Sequence, residues 1–187
     1  MKYLIAGLGN VGEEYADTRH NIGFKIVEAL AEDAGASFVS ERHAEHAAIR
    51  LKGRSVHLLK PTTYMNLSGK AVLYWMNELK IPKENVLVVL DDIAIPFGVL
   101  RIKGKGSAGG HNGLKDIQAV LATEEYPRLR FGVDGNFPKG RQVEYVLGEW
   151  NQEESKLLPE KIKNSCEAIK SFVSIGLERT MNFFNTK

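Results

Sequence analysis

Residues 2–12 read KYLIAGLGNVG, in which an apolar run is followed by three glycines. The apolar residues from Tyr3 to Ala6 predict a buried strand, and the glycines predict that the chain then enters a loop. Farther along, apolar residues recur at helical spacing and predict a helix from Ile22 to near Gly35. This strand, loop and helix unit indicates a fold in which strands and helices alternate.

The rest of the chain continues this alternation. Residues 47–58 favour a hairpin, and the apolar run from Val86 to Leu90 is typical of a central strand. The other predicted elements are a helix containing Val72, Trp75, Met76 and Leu79, a strand over 99–103, a helix over 114–121, a strand over 129–133 and a helix over 153–175. We therefore predict one α/β domain over residues 1–187, with a mixed, largely parallel, twisted sheet flanked by helices.

The composition excludes several classes of protein. The 187 residues include 25 Lys plus Arg and 23 Asp plus Glu, and this net charge of +2 excludes a strongly basic packaging protein. The longest aliphatic run has five residues, far below the roughly 20 that a membrane-spanning helix needs. Gly7 interrupts the apolar N-terminus before a secretory signal could form. Cys166 is the single cysteine, so we expect no disulfide and a reducing, cytoplasmic location.

The three glycines also match G-x-G-x-x-G, the loop that binds the pyrophosphate of dinucleotides. In that loop a helix opens at the third glycine, whereas here Glu13, Glu14 and Asp17 follow Gly12 and the helix is delayed. Carboxylates would repel a pyrophosphate, which disfavours nucleotide binding. The alternative is a glycine turn that only ends the strand. Neither interpretation explains Asn10, which lies at the carboxyl end of the strand, where sites in open α/β sheets gather.

A histidine and an aspartate belong to the same edge of the predicted sheet. His20 lies between the loop and the first helix, and Asp91 follows the predicted central strand. If the two strands are neighbours, the carboxylate could hold a neutral imidazole in one tautomer. The alternatives are a helix cap or a surface residue for His20, and a solvated turn for Asp91 and Asp92.

Two asparagines precede predicted helices. Asn66 lies in TTYMNLSG at 62–69, and Asn112 lies in GGHNG at 109–113. Either asparagine could be an N-cap, as could Ser68, because short polar side chains accept hydrogen bonds from the first N–H groups of a helix. Their amides could also hold a water molecule or a developing oxyanion without adding charge.

Five blocks in fixed order resemble the bacterial peptidyl-tRNA hydrolase family. They are GLGN at 7–10, TRHNIG at 18–23, PTTYMNLSGKA at 61–71, DD at 91–92 before PFG at 96–98, and GSAGGHNGLK at 106–115. The resemblance covers nearly the whole chain. It implies a metal-free, cytoplasmic, usually monomeric hydrolase that needs no cofactor and cleaves the ester joining a peptide to the terminal ribose of tRNA.

The resemblance also implies roles for single residues. His20 is the general base, Asp91 stabilises its protonated form, and Asn10 distinguishes blocked from free aminoacyl groups. Other residues match positions that bind the tRNA end or the peptide backbone, or that line the same cleft: Tyr15, Tyr64, Met65, Asn66, His111 and Asn112.

The resemblance assigns the 5′ phosphate of tRNA to a clamp formed by Lys103 and Arg130. Residues 98–141 contain eight Lys or Arg against four Asp or Glu, a larger positive excess than that of the whole chain. The chain departs from the family pattern twice, since Val11 replaces a proline and Ala94 replaces an aspartate. We expect Val11 to make its loop less rigid and Ala94 to remove a capping or surface contact.

Other nucleophiles are weaker candidates. The sequence has no G-x-S-x-G motif, and Ser68 and Ser107 lie in capping or glycine-rich contexts, which disfavours a covalent serine mechanism. Cys166 falls on the apolar face of the last helix and is predicted to be core.

The remaining histidines could be imagined as metal ligands. His43, His46 and His57 have no acidic or cysteine partner at ligand spacing, so we predict that they are solvated.

The alternative to the esterase is a non-catalytic or nucleotide-binding module that uses residues 7–12.

Overall fold

The computed structural model describes residues 1–185, and these form a seven-stranded mixed sheet. Its first strand, β1 (Lys2–Gly7), lies inside the sheet, as its apolar run predicts. Six more strands follow along the chain: β2 (Val39–Glu41), β3 (Ala44–Leu51), β4 (Arg54–Pro61), β5 (Val86–Asp92), β6 (Leu100–Lys103) and β7 (Arg128–Gly132). Their spatial order is β2-β3-β4-β1-β5-β7-β6.

The centre of the sheet is parallel and its edges are antiparallel. Strands β4, β1, β5 and β7 pair in parallel, so their carboxyl ends meet at one edge of the sheet. Antiparallel pairing adds β3 and β2 on one side and β6 on the other. This arrangement confirms the predicted mixed sheet and the predicted hairpin of β3 and β4.

Helices cover both faces of the sheet, and within residues 1–185 they are α1 (Ile22–Asp33), α2 (Ser68–Leu79), α3 (Asn112–Leu121), α4 (Gln142–Val146), α5 (Gln152–Ile175) and α6 (Leu177–Phe184). Alternate residues of β1 point to opposite faces: Tyr3 and Ile5 pack in the core beneath α1 and α5, whereas Leu4 and Ala6 pack beneath α2 and α3. A strand buried on both faces reads as a continuous apolar run, which explains its sequence. None of these helices combines the length and apolarity needed to cross a membrane.

Two glycines bring α1 close to the sheet. A Cβ on Gly7 would lie 2.2 Å from the carbonyl oxygen of Gly23, and a Cβ on Gly23 would lie 2.4 Å from the Leu8 nitrogen and 2.5 Å from the Val89 oxygen. Glycine is therefore required on both sides of this contact. It holds the first turn of α1 against the ends of β1 and β5.

The glycine loop does not open a helix. Helix α1 begins at Ile22, and a 3₁₀ turn over Glu13–Tyr15 follows Gly12 instead. The dinucleotide motif needs a helix N-terminus at its third glycine to hold the pyrophosphate. The geometry therefore weighs against the nucleotide-binding alternative.

Helix α5 contains the single cysteine. Cys166 is buried in the core, and burial raises the pKa of its thiol to about 11. A thiol with a raised pKa is a poor nucleophile because little thiolate forms near neutral pH. The prediction that Cys166 is a core residue is confirmed.

Candidate active site

His20 and Asp91 meet at the carboxyl edge of the parallel strands. His20 lies in a 3₁₀ turn, Arg19–Asn21, immediately before α1, and Asp91 is the penultimate residue of β5. The His20 Nδ1 atom lies 2.9 Å from Oδ1 and 2.8 Å from Oδ2 of Asp91. The helix-cap and surface alternatives for His20 are wrong, because its side chain is 12% exposed and bonds this carboxylate, and Asp91 is not a solvated turn residue, because it is only 2% exposed. Asp92 does accept the N–H of Ala94 in a turn, at 2.8 Å.

A second histidine binds the same carboxylate. The Nε2 atom of His111 lies 2.8 Å from Asp91 Oδ1, and its ring centroid is 5.1 Å from that of His20. The Nδ1 atom of His111 accepts hydrogen bonds from the backbone N–H groups of Gly113 and Leu114, at 3.1 and 3.4 Å. An accepting Nδ1 has no proton, so the proton of a neutral His111 is on Nε2, which donates it to Asp91.

The surroundings of Asp91 keep it ionised. Burial alone would raise the pKa of its carboxyl group, but the charges and hydrogen bonds of His20 and His111 outweigh burial and hold the pKa well below the usual range. A carboxylate only accepts hydrogen bonds, so His20 donates from Nδ1. The Nε2 atom of His20 has no hydrogen-bond partner within residues 1–185 and is left to accept a proton.

Asn10 is held beside His20 by three hydrogen bonds. Its backbone N–H donates to the Asn21 side chain at 2.8 Å, and the Asn21 amide donates back to the Asn10 carbonyl at 2.9 Å. Its own Oδ1 accepts the backbone N–H of Met65 at 2.7 Å. These bonds leave the NH₂ group of Asn10 without a partner among residues 1–185, so the amide offers a donor.

The turn before Met65 is strained. Tyr64 has φ 63° and ψ 160°, a region that is almost restricted to glycine, and its side chain is 52% exposed. The Tyr64 carbonyl accepts the N–H of Leu67, which closes the 3₁₀ turn Met65–Leu67. The strained residue therefore lies next to the backbone N–H that fixes Asn10.

A cleft of about 320 Å³ opens over this cluster. Six of the predicted site residues line it, namely His20, Asp91, Lys103, His111, Asn112 and Arg130. Residues 107–110 and one side of α4 complete the wall. Arg130 Nη1 donates to Asp92 Oδ2 at 3.1 Å, so the carboxylate next to Asp91 holds the arginine at the cleft.

Five predicted residues lie outside the lining of the cleft, namely Asn10, Tyr15, Tyr64, Met65 and Asn66. Met65 is buried and reaches the site through Asn10, whereas Tyr15 lies in the first 3₁₀ turn and the Tyr64 and Asn66 side chains are exposed. Substrate binding by Tyr15, Tyr64 and Asn66 stays a prediction.

The three capping alternatives are wrong. The N-cap of α2 is Leu67, which makes no side-chain capping bond, and the Ser68 hydroxyl donates to the Met65 carbonyl instead. The N-cap of α3 is His111, and Asn112 is already the first helical residue. Asn66 and Asn112 therefore do not cap these helices.

Two residues contribute to the site in ways that the resemblance does not indicate. The resemblance places His111 only in the cleft wall. Its position directly before a predicted helix indicates an N-cap, and an imidazole that caps through one nitrogen can still donate from the other. Asn21 was not singled out, although it follows His20 directly and is 1% exposed. A buried asparagine needs hydrogen-bond partners, which Asn10 supplies.

Metal binding has to be tested at two places. One ligand atom from each of His20, Asp91 and His111 lies within 4.8 Å of the others, a spacing that could hold an ion. The relevant ring nitrogens already donate to the carboxylate, and the second His111 nitrogen accepts backbone N–H groups. A metal ion would have to displace the two protons that these nitrogens donate to Asp91, which disfavours metal binding. The expectation of a metal-free centre stays a prediction.

The second place is the hairpin. His46 bonds Glu41 through Nδ1 and His57 through Nε2, each at 2.8 Å, and its ring stacks on Trp75 with centroids 4.6 Å apart. The prediction of a solvated His46 is therefore wrong, because antiparallel pairing brings β3 and β4 residues together that are distant in sequence.

Comparison with known proteins shows the family of the chain. The family model for peptidyl-tRNA hydrolase matches residues 4–187. A peptidyl-tRNA hydrolase of Phocaeicola vulgatus is 55% identical over 187 residues, and one of Cytophaga hutchinsonii is 56% identical over 187 residues, each covering 100% of both chains. The crystal structure of peptidyl-tRNA hydrolase from Acinetobacter baumannii has a TM-score of 0.92 at 36% identity, covering 98% of this chain and 94% of that chain. The chain belongs to the peptidyl-tRNA hydrolase family.

Proposed function

We propose that this chain hydrolyses the ester between a peptide and the 3′-terminal ribose of tRNA, with His20 as general base. Membership of the family supports the reaction. The observation that supports the mechanism is the buried Asp91 carboxylate, which binds Nδ1 of His20 and leaves Nε2 without a protein partner within residues 1–185. Freed tRNA and the released peptide acid are the products.

The reaction needs one proton acceptor near the ester carbonyl. His20 Nε2 takes a proton from water as the water oxygen attacks the carbonyl carbon, a role worth about 10²–10⁴ in rate. Asp91 stabilises the imidazolium that forms. When the tetrahedral intermediate collapses, the bond to the ribose oxygen breaks and the imidazolium returns the proton to that oxygen.

His111 binds the same carboxylate that supports His20. Its Nε2–H donates to Asp91 Oδ1, and its Nδ1 is fixed as an acceptor by α3. The carboxylate therefore has a second donor that does not depend on His20. We infer that His111 keeps Asp91 in one orientation, so that the His20 ring has a fixed partner.

Asn10 is suited to recognise the blocked amino group. Its oxygen is already bonded to Met65, so it presents NH₂ to the substrate. A peptidyl group offers a carbonyl oxygen to this donor, whereas the ammonium of a free aminoacyl group offers only donors. The free substrate would leave the Asn10 amide unpaired, which disfavours its binding.

Lys103 and Arg130 serve as the phosphate clamp. They lie on the adjacent strands β6 and β7, on the same cleft as His20. Arg130 donates to Asp92 through Nη1, and the exposed part of its guanidinium can donate to a phosphate oxygen. Lys103 is exposed and adds a second charge.

The other substrate contacts keep their predicted roles. Tyr15, Tyr64, Asn66 and Asn112 bind the tRNA end or the peptide backbone, and Met65 lines the path between them. A cytoplasmic monomer without a metal or cofactor completes the proposal.

A single assay tests the function. Purified protein is given peptidyl-tRNA and aminoacyl-tRNA in parallel, without cofactor, with and without a chelator. We expect release of tRNA from the peptidyl substrate alone, unchanged by the chelator. Loss of activity on chelation would contradict the metal-free mechanism. Binding of a dinucleotide without ester cleavage would instead support the nucleotide-binding module.

A further inference from the structure

Arg19, the residue before His20, is anchored on the far side of the cleft wall. Its backbone N–H donates to Gly148 at 3.0 Å, and its Nη1 donates to the Tyr145 carbonyl at 3.1 Å. Its Nη2 donates to Glu154 at 2.9 Å. Arg19 therefore joins the turn that contains His20 to the segment that runs from the end of α4 into the first turn of α5.

The contacts of the Arg19 side chain are buried. The Arg19 and Glu154 side chains are each 10% exposed, and the guanidinium lies 4.1 Å from the centroid of the Tyr145 ring. The same Glu154 oxygen accepts the N–H of Asn151 in the capping box of α5. Planar stacking and a forked set of donors are properties of arginine that lysine lacks.

The same segment is tied to the strand that contains Asp91. The Tyr145 hydroxyl donates to the Val133 carbonyl, and the Val133 N–H donates to the Asp92 carbonyl at 3.0 Å. On its other side His20 is followed by Asn21, which bonds the Asn10 backbone. The His20 turn is thus fixed on both sides relative to Asp91.

We propose that Arg19 is a positioning residue that holds the His20 imidazole on Asp91 by fixing the turn against Tyr145 and Glu154. This inference rests on the proposed function of His20. Catalysis needs the proton acceptor in place, and a displacement of about 1 Å can cost about 10² in rate. A structural role alone would lower stability without lowering the turnover of the folded protein.

Two variants separate these roles. Arg19→Lys keeps the charge but loses the planar fork. The double variant Arg19→Met with Glu154→Gln removes both charges, which avoids a buried unpaired ion and favours folding. For both, we expect kcat on an N-acylated aminoacyl-adenosine to fall about 10–100-fold while KM changes less than about threefold. We also expect loss of the low-field NMR signal of the His20 Nδ1 proton.

Lys60 and Glu28 provide the matched control. Their ion pair is 2.9 Å long, and the Lys60 side chain is 10% exposed, as Arg19 is, but the pair joins β4 to α1 away from the cleft. Lys60→Met with Glu28→Gln should lower Tm and leave kcat and the His20 signal unchanged. Wild-type kcat in folded Arg19 variants would overturn the positioning role. Failure of the wild-type protein to cleave the ester would contradict the proposed function as well.

Discussion

At the scale of single residues, the Asp91 carboxylate connects two histidines that differ in what their second nitrogen does. The second nitrogen of His111 caps a helix, and that of His20 is left to the substrate. Replacing Asp91 by Asn keeps the size of the side chain but removes its charge. We expect kcat to fall about 10²–10⁴-fold, because an amide does not stabilise the imidazolium. Asp33→Asn is the control, since Asp33 is exposed and pairs with Lys170; equal kcat in both variants would contradict the role of Asp91.

The lowered pKa of Asp91 also predicts how stability depends on pH. A carboxyl group whose pKa is lower in the folded state stabilises the fold fully above its usual value of 3.8, and this contribution is lost as pH falls. The difference in free energy of unfolding between wild type and Asp91→Asn should be larger near pH 6 than at about pH 3. Denaturant titrations at the two pH values measure it.

Asn10 should act on substrate choice. Asn10→Asp keeps an oxygen for the Met65 N–H but replaces the NH₂ donor by a second acceptor. We expect the preference for peptidyl-tRNA over aminoacyl-tRNA to narrow by at least about tenfold, since the donor no longer meets the peptide carbonyl. Initial rates on both substrates measure the ratio. An equal loss on both would assign Asn10 to positioning.

Tyr64 should reveal stored backbone strain. Its conformation costs about 1–3 kcal/mol for a residue with a Cβ, which glycine avoids. Tyr64→Gly should therefore be more stable than Tyr64→Ala by about 1 kcal/mol in denaturant titrations, the reverse of the usual order. If the alanine variant is the more stable one, the strain is absent.

At the scale of elements, the predictable ones are long or buried. A continuous apolar run predicts β1 and β5, and apolar residues at helical spacing predict α1, α2, α3 and α5. Strand β2 has three exposed residues and α4 has five residues, so neither has a repeat from which to predict it. Helix α6 begins directly after Gly176, which ends α5, and its eight residues were absent from the prediction.

Strands β6 and β7 should control how tightly tRNA binds. Lys103→Ala or Arg130→Ala should weaken tRNA binding and flatten its dependence on salt by about one contact. Arg130→Ala should cost more, because it leaves the Asp92 carboxylate without its partner at the cleft. Binding is measured at several salt concentrations. A short acyl-aminoacyl-adenosine lacks the 5′ phosphate of tRNA, so equal losses on this substrate would show that the assignment is wrong.

At the scale of the whole molecule, the parallel centre of the sheet explains why distant blocks of sequence meet. The carboxyl ends of β1 and β5 lie side by side, so the loop that contains Asn10 and the strand that ends at Asp91–Asp92 leave the sheet at the same edge, and the contact between Gly7 and Gly23 holds the start of α1, after His20, at this edge. The apolar runs predict that β1 and β5 are buried strands but not that they are neighbours. The pairing of His20 with Asp91 could therefore be predicted only on the condition that the two strands are adjacent. The hydrogen bond from His111 to Asp91 and those from Arg19 to Tyr145 and Glu154 depend on side-chain packing. No pattern in the sequence predicts them.

The most direct test of the account compares binding and chemistry in His20→Ala. The proposed clamp of Lys103 and Arg130 would hold tRNA through phosphate contacts that do not involve the imidazole. We expect the variant to bind peptidyl-tRNA within about threefold of the wild-type Kd and to lose at least about 10³ in single-turnover rate. Near wild-type turnover in this variant would contradict the assignment of His20 as the general base.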